Sequence, residues 1–282
     1  MKPTVWITGA GGLIGNYLVQ TAAQFVPQFH AVGLTRTLDL TDHAAVRREF
    51  QKQKPQLVIH CAAMSRSPEC QAKPELARRI NVDATAHLAQ LAAEIPFVFF
   101  STDLVFDGER GNYSETDDMN PISIYGETKV AAEELLHAHP RCLILRCAIN
   151  AGKSPTGDRG FNEQMRGAWA SGQMFRLFTD EFRCPIPAAV SAHATWELVQ
   201  QNAIGIFNLG GAEKLSRHAI GRILTARRPE WSAQIIAASR KEYTGAPRPG
   251  DVSLDCRKVQ KLLSFSLPKF SAWVAENPND IF

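Results

Sequence analysis

The sequence has little that would take it outside the ordinary globular class. Among its 282 residues no apolar run approaches the ~18 residues of a membrane-spanning helix. It does not open on the basic segment and apolar stretch that mark a secretory signal, so a cytoplasmic location is expected. One-sided charge is missing too: 31 Lys plus Arg stand against 28 Asp plus Glu, a net +3, which is too weak for nucleic acid to be the main partner. The densest basic stretch, Arg47 to Lys54, reads as the solvated face of a helix. Six cysteines (Cys61, Cys70, Cys142, Cys147, Cys184, Cys256) include no Cys-x-x-Cys pair and no Cys/His zinc spacing, so no metal site is expected. A chain this long needs no disulfide staples, and reduced, partly buried thiols fit the same compartment. There are no internal repeats and no low-complexity tract. What is present is 45% hydrophobic and 21% charged, enough for about two domains of ~150 residues each.

The first half alternates strands and helices. Short apolar runs at Thr4–Thr8, Ala31–Leu34, Leu57–Cys61, Phe97–Ser101 and Cys142–Arg146 read as strands. Helical spacing marks Asn16–Phe25, Asp42–Gln53 (with Asp42 as cap), Pro74–Glu94 and Ser123–His137. Strands that are apolar throughout are covered on both faces, which predicts an α/β fold with a doubly wound parallel sheet and right-handed crossovers. After Asn150 the rhythm changes. Residues 151–160 (AGKSPTGDRG) predict an interdomain or substrate loop. The remainder predicts a smaller interleaved α/β substrate domain, with helices at 161–171, 190–202 and 216–226 and strands at 174–178 and 205–209. We expect a dinucleotide-binding domain over 1–150, with 186–205 returning to it, and a substrate domain over 151–282.

Gly9-Ala10-Gly11-Gly12-Leu13-Ile14-Gly15 follows the first strand and opens the first helix. A pyrophosphate can approach backbone N–H groups only where no Cβ intervenes, and a helix N-terminus presents free N–H groups to it. Gly9 and Gly12 suit the turn, Leu13 and Ile14 begin the helix, and Gly15 permits close helix–strand packing. A carboxylate for a ribose 2′-OH is missing at the end of the second strand, where Leu34-Thr35-Arg36-Thr37 stands instead. Arg36 suits a 2′-phosphate, which favours NADP(H). NAD(H) stays open, because Asp39 lies close enough to serve the adenosine half.

Tyr125 and Lys129 are four apart on a predicted helix and so share a face. Carbonyl reduction needs a proton donor. A free phenol has a pKa near ~10, and a neighbouring ammonium lowers it. Ser101-Thr102-Asp103 ends the fourth strand, where ligand chemistry gathers in parallel sheets. Ser101 and Thr102 face opposite ways in a strand, and Thr102 is the expected substrate contact. His60 reads as a packing or supporting residue, and His137 and His139 suit a helix C-terminus.

Together these features resemble the extended short-chain dehydrogenase/reductases, and within them the dTDP-4-dehydrorhamnose reductase group. The matching residues are Ser101 through Gly108, Tyr113 through Asp117, Pro121, Tyr125 through Lys129, and Glu133. Further matches are Asp39 through Asp42, Cys61 through Ala63, Pro74-Glu75, Asn81, Arg248-Pro249 and Leu254-Asp255. The resemblance implies a Rossmann-type nucleotide domain, a smaller sugar-nucleotide domain and a sugar-nucleotide substrate. It implies Tyr125 as proton donor, Lys129 as its pKa tuner and ribose ligand, and Thr102 as substrate hydrogen-bonder. Asp39 and Leu40 fall beside the adenine, and Cys61, Ala62, Ala63 and Ser101 along the cofactor. Asp103 and Arg248 join Thr102 toward the substrate. A homodimer is compatible with all of this.

The chain departs from that group at Ser67-Pro68 (Val-Asp in the reductases), at Leu104 (Tyr), at Ala148-Ile149 (Ser-Trp) and at Asp180 through Ile186 (Asp-Gln-x-Gly-x-Pro-Thr). These positions lie toward the substrate. The chain is also similar to the non-catalytic regulatory subunit of methionine adenosyltransferase, which retains the glycine turn and the Tyr-Gly-x-Thr-Lys pattern. Three readings therefore stand: an NADPH-dependent 4-keto sugar-nucleotide reductase, a regulatory NADP-binding protein, or another extended-family epimerase or dehydrogenase.

Overall fold

A computed structural model describes residues 2–226, 230, 234–277 and 280. Six parallel strands form the central sheet: β1 (Thr4–Thr8), β2 (His30–Leu34), β3 (Leu57–His60), β4 (Phe97–Thr102), β5 (Cys142–Cys147) and β10 (Gly205–Leu209). Their spatial order is β10-β5-β4-β3-β1-β2, with register such as Val5↔Leu57 and Thr102↔Cys147. The order reverses between β1 and β3, a topological switch point of the kind at which ligands bind.

Alternate residues of each strand feed two cores. Val5, Ile7, Ile59, Val98 and Leu145 face one side, against α1 (Leu13–Phe25) and α8 (Ala188–Gln200). Trp6, Val58, Phe97, Phe99 and Ile144 face the other, against α2 (His43–Gln53), α5 (Ala84–Leu91) and α6 (Ile124–Leu136). Each such side chain contributes about 1.5–3 kcal/mol when fully buried. Polar tips inside these cores are paired: Trp6 Nε1 donates to Gln53 Oε1 at 2.8 Å and Trp196 Nε1 to Thr21 Oγ1 at 3.0 Å. Asp42 caps α2 as the sequence predicts, its carboxylate accepting from Ala45 N at 2.9 Å.

The long helix read over Pro74–Glu94 is broken. After α3 (Ser67–Ala72), α4 (Pro74–Arg78) runs into a π-helical turn, Arg79–Asp83, before α5. The extra residue of such a turn rotates the helix face, and π turns cluster at functional sites. Here it turns Asn81 inward, where it is buried. Asn81 Oδ1 accepts from Met64 N (2.8 Å), and its Nδ2 donates to Met64 O and Thr128 Oγ1 (both 3.0 Å).

Beyond β6 (Asn150–Ala151), α7 (Phe161–Ala170), β7 (Phe175–Phe178), α9 (Arg217–Thr225) and α11 (Phe270–Glu276) enclose a separate core of Phe161, Met165, Trp169, Leu177, Leu224 and Phe270. Short pairs complete this region: β8 (Phe182–Arg183) with β11 (Leu215–Ser216), β9 (Ile186–Pro187) with β6, and β12 (Ile235–Ala238) parallel to β7. The strand over 235–238 went unread in the sequence. The segment before α7 lies over the start of α1: Lys153 N donates to Tyr17 Oη at 3.1 Å, and Arg66 Nη2 donates to the Asp158 carbonyl at 3.3 Å. The helix α10 (Arg257–Gln260) follows the Pro/Gly turn at 247–250. No helix among the described residues is long and apolar enough to cross a membrane, and no group of three or more His, Cys, Asp or Glu among them could hold a metal ion.

Candidate active site

The glycine turn is shaped by close approach. Gly9 takes φ +70°, and a Cβ there would stand 2.7 Å from Ala62 N; a Cβ on Gly15 would stand 2.4 Å from the Gly9 carbonyl oxygen. The turn is thereby pressed onto the Cys61-Ala62-Ala63 segment and the first turn of α1 onto the turn. Gly12 caps α1 with no side-chain bond, and no acidic residue occupies the helix's first turn. The N–H groups at Leu13 and Ile14 therefore point outward without a competing carboxylate, so the cradle fits an anion such as a dinucleotide pyrophosphate.

At the end of β2, Arg36 is exposed. Asp39 Oδ1 accepts from Thr41 N (2.9 Å) and Thr41 Oγ1 (2.8 Å), which holds its carboxyl below the usual range. Leu40 packs half-buried against the α2/α5/α6 core.

A directed chain of hydrogen bonds sets the sheet edge beneath the cradle. Ala62 N donates to Thr8 Oγ1 (3.2 Å), which lies 2.7 Å from His60 Nδ1; His60 Nε2 lies 2.9 Å from Thr85 Oγ1, which donates to Asn81 O (2.8 Å). Each hydroxyl has one proton to give, so His60 is neutral and carries its proton on Nε2. Burial, with Lys129 nearby, draws its pKa down to about 3. His60 is thus a supporting residue.

At the C-terminal end of β4, Ser101 and Thr102 face opposite sides. Ser101 Oγ donates to Glu133 Oε1, and Glu133 forms a buried pair with Arg146 (Nη2–Oε2 2.8 Å). The Ser101 hydroxyl is thus committed to Glu133, which leaves its main chain for the cofactor contact expected of it. Thr102 turns the other way, toward the Tyr125 phenol, whose pKa it draws down. Tyr125 stands in the first turn of α6, capped by Ser123, whose Oγ accepts from Gly126 N at 3.2 Å. A Cβ on Gly126 would meet the Leu104 carbonyl oxygen at 2.3 Å, so a glycine beside Tyr125 lets α6 approach the β4 end.

Lys129 is buried one helical turn on, its Nζ 3.9 Å from the centroid of the Phe99 ring. Burial draws its ammonium down to about 7, against the pull of Glu133. The phenol shows the reverse of the sequence expectation. Its pKa is raised, first by burial and then by Asp103 and Cys70, while Thr102 and Arg183 act against them. Desolvation is the largest cause because the phenol is nearly enclosed.

Asp103 and Arg248 also differ from expectation. Asp103 is 0% exposed and is gripped by Arg183, with Nε–Oδ2 at 2.6 Å and Nη2 on Oδ1. It accepts from Thr102 Oγ1 at 3.1 Å. It is therefore a positioning residue behind Thr102 and not a direct substrate ligand. Arg248 Nη1 donates to Glu181 Oε2 at 3.0 Å, so the substrate contact expected of it is shared with a carboxylate. A cleft beside these groups is lined in part by Ser67, Pro68, Leu104, Glu181, Arg183 and Arg248. Five of its nine lining residues, Ser67, Pro68, Leu104, Glu181 and Arg183, are positions where the chain departs from the reductase pattern. Asn81, Glu181 and Arg183 went unassigned in the sequence. Asn81 had a motif match as its only signal; the two others had only their place in the departing stretch from Asp180 to Ile186, and their partners are remote in the chain.

The chain belongs to the family described as the RmlD substrate binding domain, whose model matches residues 1–281. A probable low-salt glycan biosynthesis reductase of Haloferax volcanii is 33% identical over 231 residues, 77% of each chain. Methionine adenosyltransferase 2 subunit beta of Xenopus laevis is 28% identical, covering 91% of this chain and 81% of that one. Among solved structures, a dTDP-4-dehydrorhamnose reductase from Clostridium acetobutylicum superposes with a TM-score of 0.87 at 24% identity over 97% of each chain. One from Bacillus anthracis in complex with NADP gives 0.87 at 22% over 98% of each. The fold is the Rossmann-like fold of these short-chain reductases and epimerases.

Proposed function

We propose that the protein is an NADPH-dependent reductase of a 4-keto sugar nucleotide. The observation that carries this is the convergence of the Thr102 hydroxyl and the Tyr125 phenol at the C-terminal end of β4, with Lys129 one turn behind on α6. Bound between the glycine turn and α6, the nicotinamide would supply a hydride to the carbonyl carbon. The Thr102 hydroxyl, which donates to Asp103 in the free protein, turns to the carbonyl oxygen and orients it, and Tyr125 gives that oxygen a proton. A phenol held protonated by burial is the state a reductive proton donor requires. Lys129, poised near neutrality, exchanges a proton at its Nζ. Arg36 suits the 2′-phosphate of NADP(H), which the Bacillus anthracis relative binds.

The test is oxidation of NADPH and NADH against dTDP-, UDP- and GDP-4-keto sugars. Tyr125→Phe should lower kcat by roughly 10²–10⁴-fold and leave NADPH binding nearly intact. Near-normal turnover in that variant would remove the phenol from the mechanism.

A second reading, an NADP-binding regulatory subunit, is favoured by the similarity to methionine adenosyltransferase 2 subunit beta over most of the chain. Cofactor binding without turnover, together with a stable complex with a methionine adenosyltransferase catalytic subunit in size-exclusion chromatography, would support that reading instead.

A further inference from the structure

The cleft beside Tyr125 holds more cation than anion. Three guanidiniums converge on Glu181: Arg248 at 3.0 Å, and Arg183 Nη1 and Arg217 Nε both at 3.9 Å. Asp103 is the second carboxylate of the cluster, so three positive charges face two negative ones. Hydrogen bonding is short of acceptors in the same sense. Arg183 spends Nε and Nη2 on Asp103, and its Nη1 is too far from Glu181 to bond it. Arg217 keeps a buried Nη1 with no partner, and burial beside Arg183 and Arg248 draws its pKa down to about 10. A buried unpaired donor such as Arg217 Nη1 is costly to keep, and with Arg183 Nη1 left over beside it the cluster favours an incoming oxyanion.

Position decides which oxyanion. Arg183 lines the cleft, and only Asp103 and Thr102 separate it from the Tyr125 phenol. Arg183 and Tyr125 are close enough to act on each other electrostatically, so a group reaching Arg183 Nη1 lies on the side of the carbonyl that Tyr125 would protonate. A diphosphate, joined through the anomeric oxygen, lies farther from that carbonyl, and the more exposed Arg248 stands at the open side of the cluster. We infer that the cleft selects a sugar nucleotide carrying a carboxylate on the sugar itself, with Arg183 as the residue that reads it. This rests on the reductase reading and narrows its substrate class. The planar fork of Arg183, already fixed on one edge by Asp103, is preorganised to offer the other edge to a carboxylate.

The test compares binding of UDP-glucuronate and UDP-glucose to the NADPH-loaded protein by calorimetry. Neither sugar carries a ketone, so turnover does not enter, and the two differ by the carboxylate while sharing the diphosphate. UDP-glucuronate should bind about 30-fold more tightly, a difference within reach of a site that pairs a buried polar group. Arg183→Gln should remove most of that preference and leave UDP-glucose within about threefold. Arg183→Lys keeps a cation against Asp103 should the glutamine variant fold poorly, and should lose part of the preference with the planar fork. Glu181→Gln frees the cluster from its own carboxylate and should strengthen UDP-glucuronate further. Equal affinities in the unaltered protein overturn the inference and leave the reductase reading standing. An undiminished preference in both Arg183 variants removes that residue from the role. If neither nucleotide sugar binds while NADPH does, the inference falls together with the substrate class beneath it.

Discussion

His60 gives the sharpest physical test of how the nucleotide edge of the sheet is held. Its ring joins β1 to the helix carrying Asn81 through Thr8 and Thr85, and both ring nitrogens are in use. Protonating Nδ1 would force Thr8 Oγ1 to accept from both the ring and Ala62 N, leaving its own proton without an acceptor in a dry site. The folded imidazole titrates near 3, against 6.5 for an unhindered one. The unfolded chain therefore binds a proton between those values that the folded chain refuses. Stability is complete above about pH 6.5 and falls as pH drops toward 3. The loss approaches about 5 kcal/mol below both values and is about 2 kcal/mol at about pH 5. His60→Gln offers a neutral donor and acceptor in similar places, at a cost of about 1–2 kcal/mol near neutrality from imperfect geometry. Urea unfolding followed by tryptophan fluorescence, with the slope checked for constancy, should show the gap between the two proteins moving by about 2 kcal/mol in favour of the variant between about pH 7.5 and 5. Other titrating groups are common to both and cancel. A gap that does not move with pH would mean that His60 is not held neutral, and the hydrogen-bond direction assigned here would be wrong.

Three further outcomes follow from the geometry. Glu133→Gln leaves the Arg146 guanidinium, 2% exposed, without its counter-charge, which should cost about 3–5 kcal/mol in urea unfolding; a loss below 1 kcal/mol would show that the pair is not desolvated. Gly15→Ala drives a Cβ into the Gly9 carbonyl oxygen, costing about 1–3 kcal/mol and at least tenfold in NADPH affinity, so unchanged cofactor affinity by fluorescence titration would refute the role of that close approach. Arg36→Ala should weaken NADPH by roughly 10–100-fold, the worth of a charged hydrogen bond, and NADH far less; equal losses would detach Arg36 from the 2′-phosphate.

The parts of this molecule that could be read from the sequence are those whose cause is local. Strands β1, β3, β4 and β5 are unbroken apolar runs, α2 has Asp42 at its cap, and the opposed directions of Ser101 and Thr102 follow from strand geometry alone. The parts that could not be read depend on partners remote in the chain or on a single inserted residue. The apolar spacing through Leu76, Ile80, Val82 and Leu88 reads as one helix, and one extra residue within it makes the π turn that brings Asn81 to Met64 and Thr128. The strand β12 is a four-residue run whose partner, β7, lies some sixty positions earlier.

Arg183 carries the same lesson into chemistry. In the sequence it is one residue of a stretch that departs from the reductase pattern; in the fold it reaches eighty positions back to Asp103, behind the hydroxyl that faces Tyr125. Two consequences follow from that one pairing. Asp103 is removed as a substrate ligand, and its charge, which would otherwise push the phenol's pKa up further, is countered at close range. The same guanidinium that offsets the Asp103 charge and so eases the release of the Tyr125 proton also lines the cleft a substrate would enter. Proton donor and substrate pocket are therefore electrostatically coupled, and a change at position 183 should alter both the pH dependence of turnover and the choice of sugar, whereas a change at Arg248, which is hydrogen-bonded to Glu181 and does not act on the phenol, should alter only the second.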